Sequence, residues 1–196
     1  MYNKLNITEN TLQVLSQFTN GFDREYHIRE VGKLLKISPR TAQLILEDLE
    51  NKGVIESKMR GRIKSYKQRI NEVSKRYFVF VEQYKSIVLI EQNLVVKEII
   101  EKISPHITGM GVVFGSYAKG IANKESDLDI FIAGEYDQQE IKRISKNYGI
   151  EISVKCYPLK IFEKNLHQDI FLKEIVKNHV VFLNVEQFIQ QVMKNR

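Results

Sequence analysis

An apolar run in the second half of the chain is interrupted twice, and these interruptions constrain the fold more than any other feature. MGVVFGS, residues 110–116, reads as a short buried strand ending in the turn Gly115-Ser116. Ten residues separate Ser116 from Asp127. SDLDIFIAG, residues 126–134, then reads as a second strand with Asp127 and Asp129 among apolar neighbours. Residues two apart on a strand share a face, so both carboxylates aim at one spot. The spacer is long enough for a helical turn starting at Tyr117 and a loop back. Strand, glycine turn, helix start and second strand therefore converge at one end of a small sheet. Carboxylates are costly to place in a buried strand without a partner, and the rest of the pattern must supply one.

Each part suits a phosphate and a cation. Gly115 lets the backbone come close to a phosphate because no side chain intervenes. Ser116 offers a hydroxyl and an amide N–H at a helix start, where the dipole favours anions. Two adjacent carboxylates repel each other and phosphate alike, so a divalent cation is required. Mg2+ is a hard ion that takes one or two carboxylates together with substrate phosphates, and it fits.

GSYAKGIANKESDLDIFI resembles the signature of the nucleotidyltransferase superfamily related to DNA polymerase beta. It is similar in particular to the minimal nucleotidyltransferases of prokaryotes, over residues 107–183. The resemblance implies metal-assisted transfer of a nucleoside monophosphate from a nucleoside triphosphate, expected to be ATP, with release of pyrophosphate. It assigns Asp127 and Asp129 to the metal ions and Gly115 and Ser116 to the triphosphate, with Lys119 adding a charge and Ser126 a hydroxyl. Family members usually supply a third catalytic acid from a later strand. Here the candidate is Glu151 in YGIEISVKCYP, residues 148–158, where Asp is more usual. Lys155 follows with the same parity, placed to pair with Glu151 or to approach the phosphates. Some relatives silence small helical toxin proteins by placing a nucleotide on a tyrosine, which implies an antitoxin-like role on a partner protein. Others modify small molecules such as aminoglycosides, or RNA ends.

The formal charge of +6 belongs to the front of the chain. Residues 1–76 hold 15 Lys/Arg against 9 Asp/Glu, and residues 77–196 hold 15 of each. A local positive field points to a polyanion, most simply nucleic acid. TENTLQVLSQFT reads as a helix capped by Thr8, and HIREVGKLLKIS as another, with Ile28, Val31, Leu34 and Leu35 at helical spacing. In SPRTAQLILEDLENKG, Ser38 is the cap, Pro39 takes the first helical position, and Gly53 stops the helix. Its inward stripe is Ala42, Ile45, Leu46 and Leu49. VIESKMRGRIKSYKQRI reads as two strands about Arg60-Gly61-Arg62. Together these segments resemble a winged helix-turn-helix domain over residues 5–70. That resemblance implies that Arg40, Thr41 and Gln43 approach DNA base edges while Arg60, Arg62 and Lys64 contact phosphate.

The predicted architecture is α+β. A winged helix-turn-helix domain occupies residues 1–70, a helical linker 71–106, and a nucleotidyltransferase domain 107–196, the last a small mixed sheet flanked by helices. In the linker, NEVSKRYFVFVEQYKSIVLIEQN is either a bridge between modules or a homodimer contact. Core packing is expected for Phe78, Phe80, Val81, Ile87 and Leu89, because exposed they would form a patch that demands a partner. The tail from Gln168 reads as helix, short strand, helix. His106, His167 and His179 lack metal-ligand spacing and are expected to be structural. The single Cys156 fits a reducing compartment. No apolar run approaches the roughly 20 residues that span a bilayer, and MYNKLNITEN has no apolar signal core. A cytoplasmic protein with no membrane partner is expected. Two functions compete: a Mg2+-dependent nucleotidyltransferase tethered to a DNA-binding winged helix, or a DNA-binding regulator whose second domain senses nucleotide without turning it over.

Overall fold

Residues 6–194 are described by a computed structural model, and they fall into two units that part between Val81 and Glu82. The first unit opens with helix α1 (Glu9–Thr19), where Thr8 and Thr11 form a capping box. The two-residue strand β1 (Tyr26–His27) leads into α2 (Ile28–Leu35), and Lys36 turns the chain in a left-handed conformation. Helix α3 (Pro39–Asn51) has Ser38 as its cap, the hydroxyl accepting from the Thr41 N–H at 3.0 Å. Strands β2 (Ile55–Arg60) and β3 (Ile63–Gln68) pair antiparallel as a hairpin, and β1 joins the far edge of β3. This is the helix-turn-helix and wing that the sequence predicts; β1 was too short to carry a periodic signal. The core holds Val14, Leu15, Phe18, Tyr26, Val31, Ala42, Leu46, Leu49 and Tyr66. Leu34 was expected among them and is exposed instead. The inward face of α2 is centred on Val31, Gly32 and Leu35, and Leu34 projects to one side of it.

Helix α4 (Glu72–Gln92) begins in the first unit and ends in the second. Phe78, Val81 and Leu89 are buried as expected, but Phe80 and Ile87 are not. Buried positions 78, 81, 82 and 89 fall on one side at helical spacing, which leaves 80 and 87 on the other.

The second unit is built on a four-stranded sheet. Helix α5 (Leu94–Ile103) and a short 3-10 turn (Ser104–His106) precede strand β4 (Ile107–Val113). Then come the single helical turn α6 (Gly115–Ala118), β5 (Leu128–Tyr136), α7 (Gln138–Tyr148) and β6 (Ile152–Tyr157). Helices α8 (Leu159–Asn165) and α9 (Ile170–Lys177), strand β7 (Val180–Leu183) and helix α10 (Val185–Lys194) complete it. The strand order is β6-β5-β4-β7, with β5 and β6 parallel and the other pairs antiparallel. The parallel pair follows from the α7 crossover, since two parallel neighbours cannot be joined by a tight turn. Leu128, Ile130 and Ile132 of β5 pack with Ile99 and Ile103 of α5 and Ile141 and Ile144 of α7. On the opposite face Phe131 meets Phe162 and Phe171, with ring centroids 5.7 and 6.2 Å away.

Under this sheet lies a buried charged group that sequence spacing did not reveal. Glu82 Oε1 takes an ion pair from Lys85 at 2.8 Å, and Oε2 faces His179 Nε2 at 3.3 Å. His179 Nδ1 lies 2.9 Å from the Val176 carbonyl, and its ring packs on Phe188 at 4.8 Å. Burial pushes the Glu82 carboxyl up, but Lys85 and His179 outweigh it and hold it at about 2. His179 is thus structural.

Candidate functional site

The end of β4 and the start of β5 are tied together by the Phe114 N–H donating to the Asp129 carbonyl at 3.0 Å. That bond sets the glycine turn directly against the second acid. Gly115 has φ +68°, and a Cβ built there would overlap the Asp129 carboxylate, lying 3.0 Å from its Cγ. Glycine is therefore required twice at this position, by backbone conformation and by close approach. Beyond it, α6 turns once, and Ile121 N–H returns to the Ser116 carbonyl at 3.1 Å.

Asp129 is half-buried within β5, whereas Asp127 is exposed and precedes the strand by one residue. The ladder begins at Leu128, whose N–H donates to the Glu151 carbonyl at 2.8 Å. Burial raises the Asp129 pKa, the charge of Asp127 raises it further, and Lys155 opposes both. The two acids therefore feel one another, as their spacing predicts. A cluster of aromatic rings lies on the Asp129 face of β5, starting at Phe131. Phe131, the next residue on the same face, meets Tyr157 at 5.8 Å, and Phe171 of α9 lies 5.8 Å from Phe114. No local signal joins residues so far apart in sequence.

The parallel register sets what faces the acids from β6. Ser153 pairs with Asp129 and Lys155 with Phe131, on the same face by parity. Glu151 is exposed and precedes β6 by one residue, as Asp127 precedes β5. Among the described residues, no group of three or more His, Cys, Asp or Glu is placed to hold a metal ion. The charge of Asp127 acts on Asp129, and the register carries Glu151 level with Asp127, just before both strands. Ser126 is engaged within its own loop: its hydroxyl accepts from the Asn123 N–H at 2.9 Å and donates to Asn123 Oδ1 at 3.2 Å. Lys119 is exposed just after α6.

In the first unit, Arg40 is exposed at the start of α3 and its Nη1 donates to Gln43 Oε1 at 3.3 Å. Gln43 in turn donates to Glu47 at 2.8 Å, and the Thr41 and Ser38 hydroxyls lie 2.8 Å apart. On the wing, Arg60 pairs with Glu25 at 3.0 Å and Lys64 with Glu50 at 2.6 Å, while Arg62 is exposed at the turn.

Residues 95–186 match the family model of the nucleotidyltransferase domain. The match begins in α5, upstream of the predicted 107–183, which places that helix and its core contacts with the sheet inside the family pattern. At a coarse level this similarity supports a transferase that moves nucleoside monophosphates. No curated protein matches the chain. Among solved structures, TrmBL2, an archaeal chromatin protein with a novel mode of DNA binding, is similar at 13% identity and a TM-score of 0.29, over 86% of this chain and 69% of its own. No helix among the described residues is long and apolar enough to cross a membrane.

Proposed function

We propose that the second unit is a Mg2+-dependent nucleotidyltransferase that uses ATP to modify a hydroxyl on a partner protein, and that the winged helix binds DNA. The observation that carries the reading is the contact of the Gly115 turn with Asp129, beside a second acid that raises its pKa. The two carboxylates suit a divalent cation: burial and mutual repulsion disfavour both being charged, and a cation with phosphate oxygens removes that penalty. Asp127 and Asp129 would hold Mg2+, which supplies charge neutralisation at the phosphates and polarises the reacting α-phosphoryl group. The turn at Gly115 and Ser116 receives the triphosphate, and Lys119 and Lys155 add positive charge around it. The acceptor oxygen attacks the α-phosphorus, the bond to the β-phosphate's bridging oxygen breaks, and pyrophosphate departs. The acceptor proton passes to Glu151 or to water.

The partner favoured here is a small helical toxin-type protein, which would make this chain the antitoxin, with DNA binding by Arg40, Thr41, Gln43, Arg60, Arg62 and Lys64 regulating expression of the pair. The test is transfer of labelled nucleotide with Mg2+ to co-purified proteins, comparing wild type with Asp127→Ala/Asp129→Ala. Labelling carried by wild type alone supports the proposal, and equal labelling by both removes it.

A second reading has its own support. Ser153, which cannot act as an anionic ligand, is the β6 residue abreast of Asp129. A site with two carboxylates can bind a metal–nucleotide complex and leave the acceptor unactivated, so the unit would report nucleotide to the winged helix. Tight Mg2+-dependent ATP binding with no pyrophosphate release in the presence of the partner would favour this reading.

A further inference from the structure

Three polar side chains form a chain of hydrogen bonds along the outward face of α3. Arg40 Nη1 donates to Gln43 Oε1 at 3.3 Å, and Gln43 Nε2 donates to Glu47 Oε1 at 2.8 Å. Steps of three and four residues make them neighbours on one helix surface, and the buried stripe of Ala42, Leu46 and Leu49 lies on the other side. The two ends of a glutamine amide have nearly the same shape, but here the chemistry on either side tells them apart. A guanidinium only donates and a carboxylate only accepts, so the Gln43 oxygen turns to Arg40 and its NH2 group to Glu47. One N–H and one oxygen lone pair of the amide remain for a ligand. An adjacent donor and acceptor of this kind match the N7 and the N6 amino group of adenine in the major groove. Glu47 itself is ill suited to a phosphate contact, because its charge is repelled by the backbone of any duplex.

We propose that Glu47 is a positioning residue for base recognition: it holds the Gln43 amide so that α3 selects adenine at one base pair. The inference rests on the reading of the first unit as a DNA-binding module. Glu47 then has two effects of opposite sign. It weakens attachment to DNA of every sequence, and it sharpens the choice of one base. Without it, only the longer Arg40 bond restrains the amide, and a half-turn about the last side-chain bond reverses the donor and acceptor that adenine requires.

The test is selection by the full chain from a randomised duplex library at low salt, followed by fluorescence anisotropy on the selected duplex and a scrambled one. Wild type should favour adenine at one position by about 5- to 150-fold, the discrimination of a single bidentate contact. Glu47→Ala should flatten that position and yet bind the scrambled duplex more tightly, with unchanged helical circular dichroism. Gln43→Ala should flatten the same position without the tightening. Glu47→Gln, whose amide oxygen still accepts, should keep the adenine preference and also bind the scrambled duplex more tightly. A merely structural role for Glu47 would lower both affinities together. Adenine preference that survives Glu47→Ala, or no favoured adenine in wild type, overturns the inference and leaves the DNA-binding reading standing. Failure of wild type to bind any duplex removes that reading, and this inference with it.

Discussion

Replacing Gly115 by Ala separates backbone strain from loss of the acid pair, because the chain provides its own control. Gly115 and Gly120 have nearly the same left-handed backbone, φ +68° and +67°. An L-residue forced into that region loses about 1–2 kcal/mol. Nothing lies within 4 Å of a Cβ at Gly120, so Gly120→Ala carries that strain alone. At Gly115 the new methyl would also sit 3.0 Å from Asp129 Cγ and 3.2 Å from its Cβ, with a carboxylate oxygen closer still. The obstructing group is a side chain, so Asp129 must turn away, and the pair of carboxylates loses its common aim. Losing one charged contact removes about 1.5–3 kcal/mol, or roughly 10- to 150-fold in affinity. Urea denaturation of both variants should show comparable losses, while calorimetry of ATP with Mg2+ should show weakened binding for Gly115→Ala only. In an Asp129→Asn background, Gly115→Ala should add little, since coupled residues are not additive. Equal ATP affinity in the two alanine variants, or fully additive effects in the double variant, would refute the reasoning.

Other outcomes follow from the same contacts. Asp129 has a raised pKa in the folded state, so its contribution to stability is present below its ordinary range and lost as pH rises through the raised value. Asp129→Asn should therefore stabilise the metal-free protein at neutral pH in chelator, and wild-type Mg2+ affinity should fall as pH drops toward that value. Ser153→Asp should place a third carboxylate abreast of Asp129 and tighten Mn2+ binding, read by electron paramagnetic resonance; unchanged affinity would count against the register. Glu82→Gln removes the buried carboxylate charge that Lys85 and His179 share and should destabilise the second unit by about 3–5 kcal/mol. Because Glu82 is held at about 2, the stability it confers is lost as pH falls from the ordinary carboxylate range toward that value, visible in acid unfolding. Duplex DNA binding should weaken steeply with salt, and Arg62→Ala should reduce the log–log slope by about 0.9; no binding at low salt would remove the DNA-binding reading.

The winged unit was largely legible because its signals are local. Ser38, Pro39 and Gly53 punctuate α3, and the Arg60-Gly61-Arg62 turn fixes the hairpin. Two of the misplaced residues, Phe80 and Ile87, lie on a helix where two apolar faces compete. In α4, Phe78, Val81 and Leu89 are spaced for one face and Val73, Phe80 and Ile87 for the other, and a sequence that is apolar on both sides does not say which faces a core. The Glu82–Lys85–His179 group was hidden for a different reason. Two of its members are one turn apart, but the third arrives some 90 residues later, after three of the sheet's four strands and immediately before the last.

At the candidate site, the sequence specified which residues share a face and left open which of them are neighbours. Parity places Glu151, Ser153 and Lys155 on one side of β6 together, since a shift of two residues preserves the face. Choosing among a carboxylate, a hydroxyl and an ammonium beside Asp129 requires the register between two parallel strands, and the α7 crossover that joins them leaves that register unspecified. The Leu128–Glu151 hydrogen bond sets it, making Ser153 the neighbour and leaving Glu151 level with Asp127 beyond the strand ends. The difference is chemical as well as geometric. An acid beside Asp129 would add charge for a second metal ion, whereas Ser153 with Lys155 beyond it makes that side of the site more hospitable to phosphate than to a cation. On the proposed reading, this side of the site would receive the triphosphate while Asp127 and Asp129 hold the cation, and transfer would draw its acceptor activation from Glu151 or from the acceptor itself.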